Sequence, residues 1–216
     1  MKKAKPLKKL RELILIFLYT IISFITIHPT IPLVQKENSI NNEGFEIRKK
    51  LKEIGINTPN LISIGKNDLI EEYIDGGNLY SIFKEKLNNE IYDISYGVGV
   101  LTGKLHNEGY VFIDNKSQNF LVKKKIDKIF RTDLGFIHLN NSFFARSLDI
   151  GSFLASIMDL DYQNYIKIER NFLNGYDEII SNRTSYLSIL LRNLLAIGFS
   201  SNYRNTLKNM AKKTRI

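Results

Sequence analysis

The stretch from Leu105 to Phe136, LHNEGYVFIDNKSQNFLVKKKIDKIFRTDLGF, constrains the fold more than any other part of this chain. Asp114 opens the run D-N-K-S-Q-N, which ends at Asn119, and Asp133 opens D-L-G fourteen residues further on. Between them, Asn119-Phe-Leu-Val and Lys128-Ile-Phe read as two short strands joined by a lysine-rich turn. A hairpin of that length brings Asn119 and Asp133 to the same end. An amide oxygen and a carboxylate at one point are the hard ligands Mg²⁺ prefers. A second carboxylate, Asp114, then stands where an incoming hydroxyl would be oriented, and this grouping is what phosphoryl transfer from Mg-ATP requires. Each motif alone also describes an ordinary turn; the spacing of the two carries the reading.

At 216 residues the chain makes one moderate domain, or a domain with an appendage. Its 44% apolar and 25% charged content excludes a disordered polymer. With no cysteine there is no disulfide, thiolate nucleophile or cysteine-ligated zinc. His28, His106 and His138 lack metal-ligand spacing. The net charge of +9 is unevenly placed: residues 1–12 hold six Lys/Arg and one acid, and residues 204–216 hold five Lys/Arg and none, so each end carries +5 and the body about −1. Basic ends on a neutral body predict contact with an anionic surface, lipid first and nucleic acid second, or else two solvated tails.

Leu13 to Ile27 contains no charge. Fifteen helical residues span roughly 22 Å, short of a hydrocarbon core of about 30 Å. Extension to Val34 adds length but brings in Pro29 and Pro32. The small-residue cleavage pattern of a signal peptide is missing. The preceding basic residues keep the N-terminus in the cytoplasm, so a single span would export residues 35–216 away from ATP. Three readings stay open: a segment lying in or re-entering the membrane interface, a span of opposite orientation, and a helix packed on the domain.

Further on, Asn42–Ile54 reads as a helix closed by Gly55 and Pro59. Leu61–Gly65 and Leu69–Ile74 read as paired strands around Lys66-Asn67-Asp68, and Gly76-Gly77 breaks the pattern. Leu79–Leu87, Ile91–Leu105, Ser147–Leu160, Tyr165–Ile180 and Ser185–Ile197 read as helices. Gly97-Val98-Gly99 lies inside one of them, where small residues permit close packing, and His106 ends the same helix as a structural residue.

From Asn42 to about Tyr176 the motifs and their order resemble the protein-kinase-like superfamily. Leu69–Leu79 (LIEEYIDGGNL) looks like the segment joining two lobes, Leu105–Asn119 like the catalytic loop, and Leu148-Asp149-Ile150-Gly151 like the start of the helix whose aspartate braces that loop. Only sixteen positions separate Asp133 from Asp149, which leaves no room for a long activation segment. That brevity resembles the atypical members: RIO-type kinases, the small kinase of the tRNA threonylcarbamoylation complex, and lipopolysaccharide-core kinases.

The resemblance implies an α+β, bilobal protein-kinase-like fold with a reduced N-lobe and a mainly helical C-lobe. Residues 1–34 form a basic and hydrophobic segment, 35–75 the N-lobe and 76–216 the C-lobe. It implies Asp114 and Lys116 as catalytic, with Asn119 and Asp133 on Mg²⁺ or Mn²⁺. Glu72 and Ile74 would offer backbone groups to the adenine of ATP, with Asp75 and Asn78 near the ribose. Lys36 would meet the phosphates, partnered by Glu43 or, second, Glu46. The acceptor is a hydroxyl on a protein or small molecule, and the location is cytoplasmic, including the cytoplasmic face of a membrane. Two departures stand out: Phe112-Ile113 replaces His-Arg before Asp114, and no glycine precedes Gly44, so a glycine-rich phosphate loop is missing. The alternatives are a pseudokinase or binding module, and a membrane-anchored scaffold. Sequons occur at Asn115, Asn140 and Asn182; the place of the first inside the catalytic loop argues against glycosylation.

Without a glycine loop, several charge-assisted hydrogen bonds to phosphate are lost, each worth about 1.5–3 kcal/mol. ATP is therefore expected to bind with a dissociation constant of roughly 10⁻⁴–10⁻³ M, steeply dependent on Mg²⁺ or Mn²⁺. Lys36→Met should weaken ATP but not adenosine. Calorimetric titration checks this; tight, metal-independent binding would mean that residues 13–36 build a phosphate lid.

Overall fold

The computed structural model describes residues 2–3, 6–30, 33, 44–65, 68–85, 89–123, 128–180 and 186–213. Lys36, Glu43, residues 124–127, expected as a lysine-rich turn, and Asn182 lie outside the described residues.

The apolar run forms the second half of helix α1 (Pro6–Ile25). Proline suits a first helical position, where its missing N–H costs nothing. Lys8, Lys9, Arg11 and Glu12 occupy the first half, so only the thirteen residues Leu13–Ile25 are uncharged, roughly 20 Å of helix. Among the described residues no helix is long and apolar enough to cross a membrane. One face of α1 packs on the domain. Tyr19, with Ile16 and Ile22, shares an apolar cluster with Leu33, Val111, Ile113, Phe144 and Leu187.

Strand β1 (Lys2–Lys3) pairs with β3 (Asp68–Glu71), which pairs antiparallel with β2 (Leu61–Ile64). Helix α2 (Phe45–Ile54) precedes them and ends at Gly55, whose left-handed φ of 86° lets its N–H return to Leu51 and Lys52, as the sequence predicts. Buried Arg48 on α2 pairs with Glu71 at 2.8 Å and donates to the Pro59 carbonyl, tying helix to sheet.

Gly76-Gly77 does not interrupt the structure: Gly76–Asn78 is an edge strand, β4, antiparallel to β6 (Phe120–Lys123), which pairs in turn with β7 (Lys128–Arg131). Strands β6 and β7 are the expected hairpin. A two-stranded sheet joins β5 (Tyr110–Val111), just before Asp114, to β8 (His138–Leu139), just after D-L-G. The two motifs are thus clamped at both ends.

The helical part comprises α3 (Leu79–Glu85), α4 (Asn89–Asn107), α5 (Phe143–Ala155), α6 (Tyr162–Ile179), α7 (Tyr186–Phe199) and α8 (Tyr203–Lys213). Helix α5 starts four residues before the position read from the pattern, because Ser142 caps it by accepting from Ala145 N at 3.1 Å; it ends at Ala155, and a turn follows. Helix α8 replaces the expected basic tail. It is held by polar anchors: Asn209 Nδ2 donates to the carbonyls of Met158 (2.7 Å) and Leu160 (3.0 Å), and Asn205 Nδ2 to that of Asp159.

The main core lies between α4, α5 and α6, with Leu105, Phe112, Phe120, Phe153 and Phe172 fully buried. Phe153 and Phe172 stack with ring centroids 4.2 Å apart. Small residues let α4 and α6 approach backbone to backbone: a Cβ on Gly99 would lie 2.0 Å from the Phe172 carbonyl oxygen, and one on Gly175 2.1 Å from that of Tyr96. Gly175→Ala is therefore expected to cost about 1–3 kcal/mol through overpacking. Gly198→Ala, with nothing within 4 Å, should stabilise by about 0.5–1 kcal/mol. Denaturant unfolding of the two variants measures the contrast; equal effects would contradict the close-packed seam.

Candidate active site

The segment after β5 is bent tightly before it reaches Asp114. Ile113 has φ 64°, and Asp114 N donates to the Phe112 carbonyl at 2.8 Å across it. A β-branched residue in this region is strained by about 1–3 kcal/mol and needs outside support. Asp149 on α5 supplies it: Oδ2 accepts from Phe112 N and Oδ1 from Ile113 N, both at 2.6 Å, in a fully buried setting.

His106, at the end of α4, lies 3.0 Å from Asp149 Oδ2 through Nε2 and 3.0 Å from the Tyr176 hydroxyl through Nδ1. A carboxylate only accepts, so Nε2 carries a proton, and Nδ1 shares its hydrogen bond with the Tyr176 hydroxyl. Burial raises the Tyr176 hydroxyl well above the ordinary tyrosine value, which keeps it a donor. His106 is structural, as the sequence predicts. So is Asn115, whose buried Nδ2 donates to the Asp149 carbonyl at 3.2 Å; the sequon asparagines Asn115 and Asn140 are both buried.

The candidate catalytic groups sit on this support. Lys116 Nζ is 2.7 Å from Asp114 Oδ1 and 4.9 Å from the centre of the Phe199 ring. Asn119 follows on a 3₁₀ turn (Ser117–Asn119) and points Nδ2 back to the Asp114 carbonyl (2.8 Å) and Oδ2 (3.3 Å). That amide orientation turns Asn119 Oδ1 the other way. On the facing strand, Thr132 donates to the Asn119 carbonyl through both its N (2.9 Å) and its Oγ1 (3.0 Å). Asp133 comes next, in left-handed backbone with φ 54° and ψ 65°. The hairpin thus delivers Asn119 and Asp133 to one end, next to Asp114. All four side chains are partly exposed.

Arg131 belongs to this arrangement and is absent from the sequence reading. It is fully buried, with Nη2 donating to the Asp114 carbonyl at 2.9 Å and Nη1 to that of Asn119 at 3.2 Å. Its guanidinium lies over Phe112 (4.6 Å) and Phe120 (5.0 Å). A basic residue closing a buried strand two positions before the D-L-G aspartate is the signal that could have found it.

At the joining segment, Glu72 N donates to the Asn60 carbonyl at 2.8 Å and Glu72 Oε2 accepts from Asn60 Nδ2 at 2.7 Å. The Glu72 N–H is therefore occupied within the protein. Ile74 is buried. Asn78 Oδ1 accepts from Ser81 N at 2.9 Å and so caps α3. Glu46 is exposed on α2. A cavity of about 600 Å³ lies between α2, residues 56–61 and the β6–β7 hairpin; Glu72 lines it, but Asp114, Lys116, Asn119 and Asp133 do not. The candidate chemistry lies elsewhere.

The loop, the hairpin that follows it and the buried aspartate behind it belong to an α+β fold. No family model matches the chain. It is 26% identical over 148 residues to the KEOPS complex subunit Bud32 of Pyrococcus abyssi (strain GE5 / Orsay), a match covering 68% of this chain and 66% of that protein, just under two thirds of its length. A solved structure of WaaP in complex with acyl carrier protein aligns over 76% of this chain and 71% of that one, with TM-score 0.49 and 16% identity. The chain is thus similar to an atypical protein-kinase-like protein over about two thirds of its length.

Asp149→Ala strands two buried backbone N–H groups and an imidazole. At about 1–3 kcal/mol for each buried unsatisfied group, stability should fall by roughly 3 kcal/mol or more. Thermal and denaturant unfolding provide the check. A variant that is fully stable yet inactive would move Asp149 from the support into the site itself.

Proposed function

We propose that the chain is an atypical kinase that transfers the γ-phosphoryl group of ATP to a hydroxyl of a protein or small molecule. The observation that carries this reading is the set of oxygens at the hairpin's end. Asn119 Oδ1 and the Asp133 carboxylate take no protein hydrogen bond or ion pair among the described residues, while the neighbouring Asn119 Nδ2, Asp114 and Lys116 are paired. One amide oxygen and one carboxylate fit a hard divalent cation that keeps its remaining positions for water and phosphate. Bound Mg²⁺ would neutralise charge on the β- and γ-phosphates.

In this reading Asp114 orients the acceptor hydroxyl and takes its proton late, since an alcohol is too weak an acid to ionise beforehand. Lys116, already on Asp114 Oδ1, brings positive charge toward the transferring group. The Glu72 carbonyl and the Ile74 backbone face the adenine. Lys36 and Glu43 would complete the phosphate site from the N-lobe, residues 35–75, above a C-lobe of 76–216. Dependence on ATP places the domain in the cytoplasm. The absence of any glycine before Gly44 favours a second reading, a pseudokinase that binds nucleotide and transfers little.

The two carboxylates have separable roles. Asp133→Ala is expected to abolish metal-dependent nucleotide binding. Asp114→Ala should retain it while turnover drops by roughly 10²–10⁴. Nucleotide titration with and without Mg²⁺, alongside ATP hydrolysis, distinguishes them; equal loss of binding in both variants contradicts the assignment. Normal binding with no turnover in the parent chain selects the pseudokinase.

A further inference from the structure

We propose that the outward face of α1, with the neighbouring face of α7, docks on the surface of an anionic lipid bilayer. The polarity of α1 is inverted for a helix on a soluble domain. Leu13, Phe17, Ile21 and Phe24 run along its exposed side, with Ile14 and Leu18 beside them. At 100° per residue these six fall within an arc of about 140°. Phe17 is 64% exposed and Phe24 68%. Tyr19 and Ser23 take the opposite side, and Thr20 lies at the edge of the exposed arc. Tyr19 is buried and bonds Thr30 at 2.8 Å; Ser23 is buried and donates to the Thr20 carbonyl at 2.7 Å. Thr20 and Thr26 likewise donate to carbonyls one turn back, at 3.0 Å and 2.9 Å. Each side-chain hydroxyl on the helix thus has a partner within the protein, and the six residues of the exposed arc are all apolar.

Helix α7 extends the pattern. Its Leu187 and Leu191 enter the same apolar cluster as Tyr19, while Tyr186, Leu190, Leu194 and Ile197 are exposed. Apolar surface of this extent marks an interaction site.

Charge decides between occupants. Residues 1–12, which run into the apolar face, carry a net +5, and residues 204–216 carry another +5. A second copy docking face to face would bring like charge against like charge, whereas anionic headgroups complement it. A helix with an apolar face and basic residues at one end lies in the plane of the membrane interface. The docked helix would sit directly behind the catalytic loop, because Val111 and Ile113 belong to the cluster under α1.

The test is flotation of the full chain with vesicles of phosphatidylcholine alone or mixed with phosphatidylglycerol. Flotation is expected with the anionic vesicles, diminishing as salt is raised. The double variant Phe17→Asp/Phe24→Asp should lose at least tenfold in partitioning while its unfolding temperature and Mg-ATP affinity stay at parental values. Lys8→Ala/Lys9→Ala should lose roughly fivefold per lysine, equivalent to about 1 kcal/mol each. Absence of flotation by the parent overturns the proposal, as does flotation indifferent to both variants. A parental dimer that Phe17→Asp/Phe24→Asp dissociates, with no vesicle binding, assigns the face to a second copy and also overturns it. Flotation is read without any nucleotide, so its failure is separate from failure of the kinase reading.

Discussion

Two backbone N–H groups ending on one buried carboxylate hold the working part of this molecule in shape. Phe112 and Ile113 donate to Asp149, and everything from Asp114 to Asp133 hangs from that fixed point. Magnitudes explain why the arrangement persists. The left-handed Ile113 costs about 1–3 kcal/mol. Each hydrogen bond to a carboxylate returns about 1.5–3 kcal/mol, and there are two. His106 adds a third donor and passes the constraint to Tyr176, so α4, α5 and α6 converge on one oxygen pair. Close packing of α4 on α6 at Gly99 and Gly175 is therefore connected to the geometry of Asp114 through a chain of direct contacts.

The replacement of His-Arg by Phe112-Ile113 puts the rigidity of the loop in question at the level of sequence. The fold answers with a different set of forces. Phe112 enters the core and meets Phe120 edge-on, with ring centroids 6.0 Å apart. Arg131, from the far side of the hairpin, covers both rings and bonds the carbonyls of Asp114 and Asn119. One fully buried cation thus ties the two ends of the 114–119 segment together from behind.

What could be read from the sequence divides along physical lines. The β6–β7 hairpin, Gly55 as a helix stop and the bracing aspartate were legible because each rests on local pattern or fixed spacing. Strands β4, β5 and β8 were not, being two or three residues long and defined only by partners distant in the chain. Helix α8 was not read because its buried anchors, Thr206 and Asn209, are polar and its basic residues drew the reading, although Tyr203, Leu207 and Met210 recur at helical spacing. Arg131 escaped for a related reason: its partners are backbone carbonyls twelve and seventeen residues away, which no side-chain pattern records. Asn78 looked free for a ribose, and its capping bond to Ser81 is local enough that the sequence N-L-Y-S could have suggested it.

Helix α1 shows how an uncharged run can conceal a direction. Leu13–Ile25 looks uniformly apolar on a linear scale, and only the placement of its few hydroxyls separates one side from the other. In an aqueous setting Thr20, Ser23 and Thr26 would lower the cost of exposure by facing out. They instead bond the helix's own carbonyls, with Ser23 buried against the domain, and the Tyr19 hydroxyl meets Thr30 and Asn140. The same cluster that receives Tyr19 includes Ile113, the strained residue beside Asp114. A helix with an apolar outward face therefore shares its cluster with a strained residue of the loop, and displacement of α1 would remove apolar neighbours from Ile113 while leaving the Asp149 bonds in place.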